Sequence, residues 1–315
     1  MMTHSAAHEG IVIRGHGKSF IVRCHNKNIS CEIRGKLKHK THSTTPVAVG
    51  DDVIISFNPD GTGMIEDIEE RRSMFFRAAK GIEAKKQIIA ANLDQLAIIS
   101  SVKSPPLKTG LIDRFLVASK AGGLQPLIII NKIDLGKTEF LLIVERAYQS
   151  LGFPVCLVSA QTGEGCEKLQ ELLKDHKSIF AGHSGVGKSA LLNRLIPGLD
   201  LKTGEVSSYS NRGIHTTSLV ELFALSHGGF VIDSPGLKVL GLWQVERNEV
   251  AEHYPEFEKY ISQCRFTGCI HVSEPDCAVK EAVANGTIPQ FRYENYVAIF
   301  NSISLTPDYS LREKK

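Results

Sequence analysis

The hydrophobic rhythm of the chain changes twice along its length. From Gly10 to about Glu70 the apolar residues come in short bursts, GIVIRG, SFIVRCH, NISCEIRG, DDVIISF and GMIEDIE, with Gly, Asn or Asp between them. Five short strands in about sixty residues predict a small β-barrel of the OB type. KLKHKTHSTTPVAVG is expected to be a long polar loop on it. Glu70–Gln87 is charged and has no clean period, so it reads as a linker.

Beyond it the texture becomes near-continuous apolar runs, which mark strands buried on both faces. They are QLAIISS (Gln95–Ser101), PLIIINKID (Pro126–Asp134), PVCLVSA (Pro154–Ala160), SIFAG (Ser178–Gly182), VELFAL (Val220–Leu225) and FVIDSPG (Phe230–Gly236). LIDRFLVASKAG, FLLIVERAYQSLG and EKLQELLKDH have helical spacing between several of them. The pattern predicts an α/β doubly wound domain. From Val245 the chain reads as mainly helical around a Cys/His cluster. The expected division is a disordered tail (1–9), a barrel domain (10–72), a linker (73–86), an α/β domain (87–244) and a helical metal domain (245–315).

Composition adds little to this: 42% hydrophobic and 23% charged residues are ordinary for a globular chain. No apolar run approaches the roughly 20 residues of a membrane span. MMTHSAAHEG has no apolar core, so no secretory signal is expected and the chain is placed in the cytoplasm, where thiols stay reduced. Its seven cysteines then point to metal ligands or packing before disulfides. Net charge is only +3, but Gly10–His42 holds eight basic residues against Glu32 alone. A solvated basic face is the plain explanation, and a nucleic-acid surface the sharper one. Phe20 and Phe57 are the few aromatics available there for base stacking.

GHSGVGKS at Gly182–Ser189 follows an apolar strand and opens a helix, the context a phosphate-binding loop requires. The candidate phosphate contacts are Gly182, His183, Ser184, Gly185, Val186, Gly187, Lys188, Ser189 and Ala190. Backbone N–H groups would wrap the phosphates, Lys188 would reach the β- and γ-phosphates, and Ser189 would hold Mg²⁺. DSPG ends a later strand. Asp233 is placed to hold Mg²⁺ through water and Gly236 to offer its N–H to the γ-phosphate.

NKID at Asn131–Asp134 supplies the base reader. A carboxylate at Asp134 accepts from N1–H and the exocyclic amine of guanine, donors that adenine lacks, so ATP would leave it unpaired. Asn131 would brace the loop and Lys132 would pack its stem along the base. In VSA, Ser159 and the N–H of Ala160 are offered to the guanine oxygen. NKID and VSA precede the phosphate loop, which is the order of a circularly permuted domain. A doubly wound sheet assembles its site at strand ends whatever the chain order.

Cys264, Cys269, His271 and Cys277 form C-x₄-C-x-H-x₅-C, a Cys₃His set that fills a tetrahedron. One structural zinc per chain is expected, closing a small domain whose core alone would be marginal. Cys24, Cys31, Cys156 and Cys166 have no matching histidine spacing and read as packing residues.

The barrel, AANLD (Ala90–Asp94), NKID, VSA, GHSGVGKS, RGIHTT (Arg212–Thr217), DSPG and CRFTGCIHVSEPDC together resemble the ribosome small subunit-dependent GTPase A family over nearly the whole chain. Three positions depart from the family pattern: Ile214 stands where a basic residue is usual, Asp276 where Gly is usual, and DSPG replaces DTPG. The resemblance implies a GTPase, acting as a monomer, that binds the small ribosomal subunit and its rRNA. It also implies that GTP hydrolysis is coupled to late subunit maturation and to the protein's own release. Leu237 follows DSPG where many GTPases carry a water-orienting Gln, so unassisted turnover should be slow. His215 is the best local substitute and the resemblance supports its catalytic role. Either Thr216 or Thr217 should contact Mg²⁺ in the GTP state. Two competitors remain: a GTP-gated RNA-binding scaffold with incidental hydrolysis, and a phosphate-loop kinase, against which NKID argues.

Overall fold

The computed structural model describes residues 7–16, 19–35, 46–78, 86–201, 221–233 and 245–303. The five barrel strands lie where the apolar bursts place them: β1 (His8–His16), β2 (Ser19–Cys24), β3 (Lys27–Ile33), β4 (Asp52–Phe57) and β5 (Gly63–Ile68). They pair in the order β1-β2-β3-β5-β4, and β4 returns to β1, which closes the barrel. Every other side chain points inward, so Val12, Val22, Val53, Ile55 and Ile65 form its core. Phe20 belongs to that core and cannot stack a base, whereas Phe57 is 36% exposed. Asp51 is buried, and Arg71 grips its carboxylate with two 2.7 Å hydrogen bonds.

The segment read as a linker is more ordered than its sequence suggests. It carries β6 (Met74–Ala78) and β7 (Lys86–Ala91), an antiparallel pair. A charged stretch without period hides such a ribbon, because a two-stranded pair has little buried face to impose alternation.

The α/β domain is built from β8 (Gln95–Ser101), α1 (Thr109–Ala121), β9 (Gln125–Asn131), α2 (Glu139–Ser150), β10 (Val155–Leu157), α3 (Cys166–Leu173), β11 (Lys177–Gly182), α4 (Lys188–Leu195), β12 (Glu221–Ala224) and β13 (Phe230–Asp233). The sheet order is β10-β9-β8-β11-β13-β12, parallel except for β12. Alternate residues of one strand face opposite helix layers. Leu96 and Ile98 pack in a cluster with Phe115, Leu116 and Val144 of α1 and α2. Ala97 and Ile99 pack in another with Leu169, Leu191 and Leu192 of α3 and α4. Burial on both faces explains why β8 reads as an unbroken apolar run. The barrel joins this sheet edge-on through Arg14 of β1 opposite Glu221 of β12.

The C-terminal region contains 3₁₀ turns at Arg247–His253 and Pro255–Phe257, then α5 (Glu258–Ile261), α6 (Ala278–Ala284) and α7 (Gln290–Ser302). The first half is thus tighter and more broken than the helical run its sequence suggests; Pro255 lacks the N–H a continuous helix would need. No helix among the described residues is long and apolar enough to cross a membrane.

Candidate nucleotide site and metal centre

Parallel pairing sets the motifs side by side at one end of the sheet. Asn131 closes β9 opposite Ser101 of β8, Gly182 closes β11 opposite Ile99 of β8, and Asp233 closes β13 opposite Phe180 of β11. The base reader, the phosphate loop and DSPG therefore emerge from neighbouring strands, although the chain visits them in permuted order. A cleft of about 550 Å³ lined by Arg72, Asp94, Gln125 and Lys177 lies at the other end of these strands, away from the motifs.

Asn131 is 1% exposed and ties three loops together. Its Nδ2 donates to the Val186 carbonyl (2.9 Å) and its Oδ1 accepts from the Ala160 N–H (3.0 Å). The bracing role read for Asn131 is thus built, and the Ala160 N–H is engaged by Asn131 in this state. Ser159 Oγ donates to Asp134 Oδ1 at 2.5 Å, which fixes the carboxylate at the site's edge. Lys132 takes a left-handed backbone (φ 65°) and its ammonium donates to the Gly185 carbonyl at 2.6 Å and to the Ser104 carbonyl. Its stem is thereby stretched from the base loop to the phosphate loop.

Two glycines of the phosphate loop are required by contact. A Cβ on Gly187 (φ +96°) would sit 2.3 Å from Asn131 Nδ2, and one on Gly182 would sit 2.2 Å from the Ile99 carbonyl. Lys188 Nζ rests on the carbonyls of Gly182 (2.8 Å) and His183 (3.1 Å), at the mouth of the loop. Ser189 and Ala190 lie in the first turn of α4, with the helix N-terminus directed at the loop. The set fits a nucleoside triphosphate with its Mg²⁺, and among the described residues Lys188 and Ser189 are the ones that would meet them.

The four metal-ligating atoms of Cys264, Cys269, His271 and Cys277 all lie within 4.8 Å of one another. A tetrahedral zinc with Zn–S of about 2.3 Å and Zn–N of about 2.0–2.1 Å needs S···S near ~3.8 Å and S···N near ~3.6 Å. The observed spacings are Cys264 Sγ to Cys277 Sγ 3.9 Å, Cys264 Sγ to His271 Nδ1 3.6 Å, and His271 Nδ1 to Cys277 Sγ 3.3 Å. The set fits zinc. Burial pushes the Cys269 thiol up to about 12 and holds the His271 imidazole neutral, so a divalent cation is what would make the thiolates tenable. The loop is held independently. Glu274 accepts the N–H groups of Ile270 (2.9 Å), Val272 (3.1 Å) and Ser273 (3.1 Å), and Tyr293 donates to the His271 carbonyl (2.9 Å). Asp276 has φ +52°, a conformation suited to Gly, Asn or Asp, and its carboxylate meets Arg265 at 2.6 Å.

The chain has recognisable relatives. A family model described as RsgA GTPase matches residues 68–243, and one described as RsgA N-terminal domain matches residues 9–65. The chain belongs to the RsgA family. It is 38% identical over 296 residues to a small ribosomal subunit biogenesis GTPase RsgA of Bacteroides fragilis, covering 92% of this chain and 96% of the relative. The RsgA of Gemmatimonas aurantiaca is 42% identical over 293 residues, with 92% and 95% covered. Among solved structures, YjeQ from Thermotoga maritima superposes with a TM-score of 0.77 at 35% identity, covering 96% of this chain and all of that one. YloQ, described as a circularly permuted GTPase, gives 0.73 at 30% identity, with 98% and 99% covered. As an RsgA GTPase the chain hydrolyses GTP, and its Cys₃His cluster has the ligand set and spacing to hold zinc.

His215, Thr216, Thr217, Gly236 and Leu237 lie outside the described residues, as do Lys36, Lys38 and Lys40 of the basic segment. Arg14 and Arg34 of that segment pair with Glu221 and Glu66. Cys24, Cys31, Cys156 and Cys166 are buried, as packing residues should be. Sequence reading missed the polar centre that joins the α/β and zinc domains. Arg292 of α7, 1% exposed, donates to both oxygens of Glu256 (2.6 and 3.1 Å) and to Asp113 of α1. Asp113 also accepts from Tyr148 (2.6 Å) and Asn295 (2.7 Å). The only sequence signal was an Asp inside the apolar face of α1 and an Arg in α7, each unremarkable alone.

Proposed function

We propose that this GTPase acts on the small ribosomal subunit, gripping its rRNA through the barrel and the zinc domain. GTP binding favours docking, and hydrolysis is coupled to late maturation of the subunit and to release. The observation that carries the reading is the Asn131 clamp: one buried amide locks the guanine-reading loop, the Ala160 loop and the phosphate loop into a single unit. Such a unit senses base and phosphates together. The match to relatives named as small ribosomal subunit biogenesis GTPases supports that partner. The basic Gly10–His42 segment supplies an electrostatic reason for rRNA to bind the barrel.

In this mechanism Asp134 reads N1–H and the exocyclic amine, with Ser159 holding its other face. Lys188 shifts from the loop carbonyls to the β- and γ-phosphates as they arrive. Ser189, Asp233 and Thr216 or Thr217 would hold Mg²⁺, which would supply charge neutralisation at the phosphates. Gly236 donates to the γ-phosphate, and His215 positions the attacking water in place of the missing Gln. The protein works as a cytoplasmic monomer. The test is GTP turnover with and without purified small subunits. Strong stimulation is expected; unchanged turnover with tight GTP-dependent binding would make the protein a scaffold instead.

A further inference from the structure

The far end of the barrel holds a pair of histidines that the GTPase reading does not use. His8 opens β1, and its Nδ1 lies 3.2 Å from Nε2 of His25. His25 and Asn26 form the two-residue turn between β2 and β3, both with positive φ (46° and 60°), closing on the Cys24–Lys27 pair. Such a turn fixes its residues in one conformation. His8 is fixed by pairing with Ile55 of β4, and its ring packs edge-on against Phe57 at 4.9 Å. The backbones carrying both imidazoles are therefore held before any ligand arrives. They are accessible, and they stand six residues along β1 from the Arg14–Glu221 contact with the α/β sheet, roughly 20 Å away.

We infer that His8 and His25 form a second metal site, for a borderline transition-metal dication such as Ni²⁺ or Zn²⁺. At a metal–nitrogen distance of about 2.0–2.1 Å, nitrogens 3.2 Å apart subtend an angle of about 103° at the ion, between octahedral and tetrahedral values. Imidazole suits these ions, and neither hard Mg²⁺ nor Ca²⁺ would choose a two-nitrogen site. The step balances simply. In the metal-free pair one facing nitrogen carries the hydrogen of the shared bond. On binding, that proton moves to the other nitrogen of the same ring, both facing lone pairs go to the ion, and no net proton is released from neutral rings. Two protein donors leave the remaining positions to water, so the ion exchanges readily. It is separate from the Cys₃His centre, whose four ligands leave no position open. A bound ion would staple the start of β1 to the β2–β3 hairpin.

The experiment is calorimetric titration of NiCl₂ into the zinc-loaded full chain, with the same titration of the His8→Gln/His25→Gln variant. The wild type should take up one Ni²⁺ beyond its resident zinc. The variant should lose that uptake or bind at least about 100-fold more weakly, beyond the 10–100-fold typical of losing an outer-shell partner. Equal uptake by the variant would overturn the site and move the binding to other histidines. GTP binding by the variant checks its fold. Paramagnetic Ni²⁺ offers a reading on the wild type alone: the ring signals of His8 and His25 should broaden first, and broadening that begins elsewhere refutes the assignment.

Discussion

Replacing Arg292 with Met should loosen the zinc domain from the α/β domain while leaving the nucleotide site formed. The perturbation removes one guanidinium from a site where two carboxylates, Asp113 and Glu256, depend on it. Asp113 is 1% and Glu256 9% exposed, so neither can recover its hydration without local opening. Breaking one partner of a buried ion cluster costs about 3–5 kcal/mol, because the Glu256 charge that Arg292 grips is left unpaired. Lost contacts of the guanidinium over the Tyr254 ring (4.5 Å) add to this. At 1.4 kcal/mol per tenfold, the opening equilibrium should rise about 10²- to 10⁴-fold. Hydrogen exchange at the α1 and α7 amides reads that change directly, with α4 as an internal control. An Arg292→Met protein whose α1 and α7 protection stays within fivefold of wild type would refute the reasoning.

The same cluster makes a signed statement about pH. Burial pushes the Asp113 carboxyl up, outweighing Arg292, Tyr148 and Asn295, which pull it down. A folded carboxyl with a raised pKa holds its proton more tightly than the unfolded one, so its contribution is full below the unfolded range and fades as pH rises through the folded value. Acidification toward pH 5 should therefore not weaken this interface through Asp113. Asp113→Asn, which fixes the neutral form, should cost far less than Arg292→Met. Adding Asp113→Asn and Glu256→Gln to Arg292→Met should restore much of the loss, a coupling that a triple-mutant cycle isolates.

Four other perturbations test the remaining parts. Asp134→Asn should weaken GTP binding and improve binding of xanthosine triphosphate, whose carbonyl meets the new amide; equal binding of ATP and GTP by the wild type would sink the base assignment. Metal analysis should find one tightly held zinc, and Cys264→Ser or Cys277→Ser should expose the C-terminal domain to protease with nucleotide binding largely intact; a zinc-free protein with normal protease resistance contradicts this. Replacing Lys36, Lys38 and Lys40 with Ala should flatten the salt dependence of subunit binding by about one unit of slope per lost phosphate contact; an unchanged slope returns them to a solvated face. His215→Ala should keep GTP and subunit binding while losing turnover on the order of 10²-fold or more; if docking fails and turnover survives, His215 belongs to the interface instead.

The elements that sequence revealed are those whose side chains repeat with a period or sit in contiguous motifs. Barrel strands alternate because one face is wet, as in β2, where Phe20, Val22 and Cys24 are buried between more exposed neighbours. NKID and GHSGVGKS are readable because each must present several groups from one turn. The Cys₃His set is readable because zinc accepts few residue types. The β6–β7 ribbon was not readable, since it imposes neither a period nor a motif. Arg292, Asp113 and Glu256 were hidden for another reason: Arg292 and Asp113 are 179 positions apart, and only packing of α7 on α1 makes one an explanation of the other. Asp276 stood out against the family pattern as a missing Gly, and its left-handed backbone shows why an Asp serves there.

The placement of that hidden cluster follows from the permutation. In an unpermuted sheet of this kind the chain would pass from β13 to β8, the two strands that flank β11. Here that connection is cut. The barrel and β6–β7 ribbon feed β8, and the chain beyond β13 goes on to the zinc domain. A cut beside the central strand removes a covalent tie where the phosphate loop emerges. The zinc domain replaces the tie without a bond: α7 packs on α1, the helix that follows β8, through Arg292–Asp113, Asn295–Asp113 and Arg114–Ser302. Val117 of α1 lies within the zinc domain's own apolar cluster. The chain that leaves β13 thus returns to the element after β8, and the cut ends are held by polar contacts that a conformational change can strain. If that is the use of the permutation, Arg292→Met should alter the difference in α1 protection between GTP- and GDP-bound states, and an Arg292→Met protein with the wild-type difference would show that the clamp is structural only.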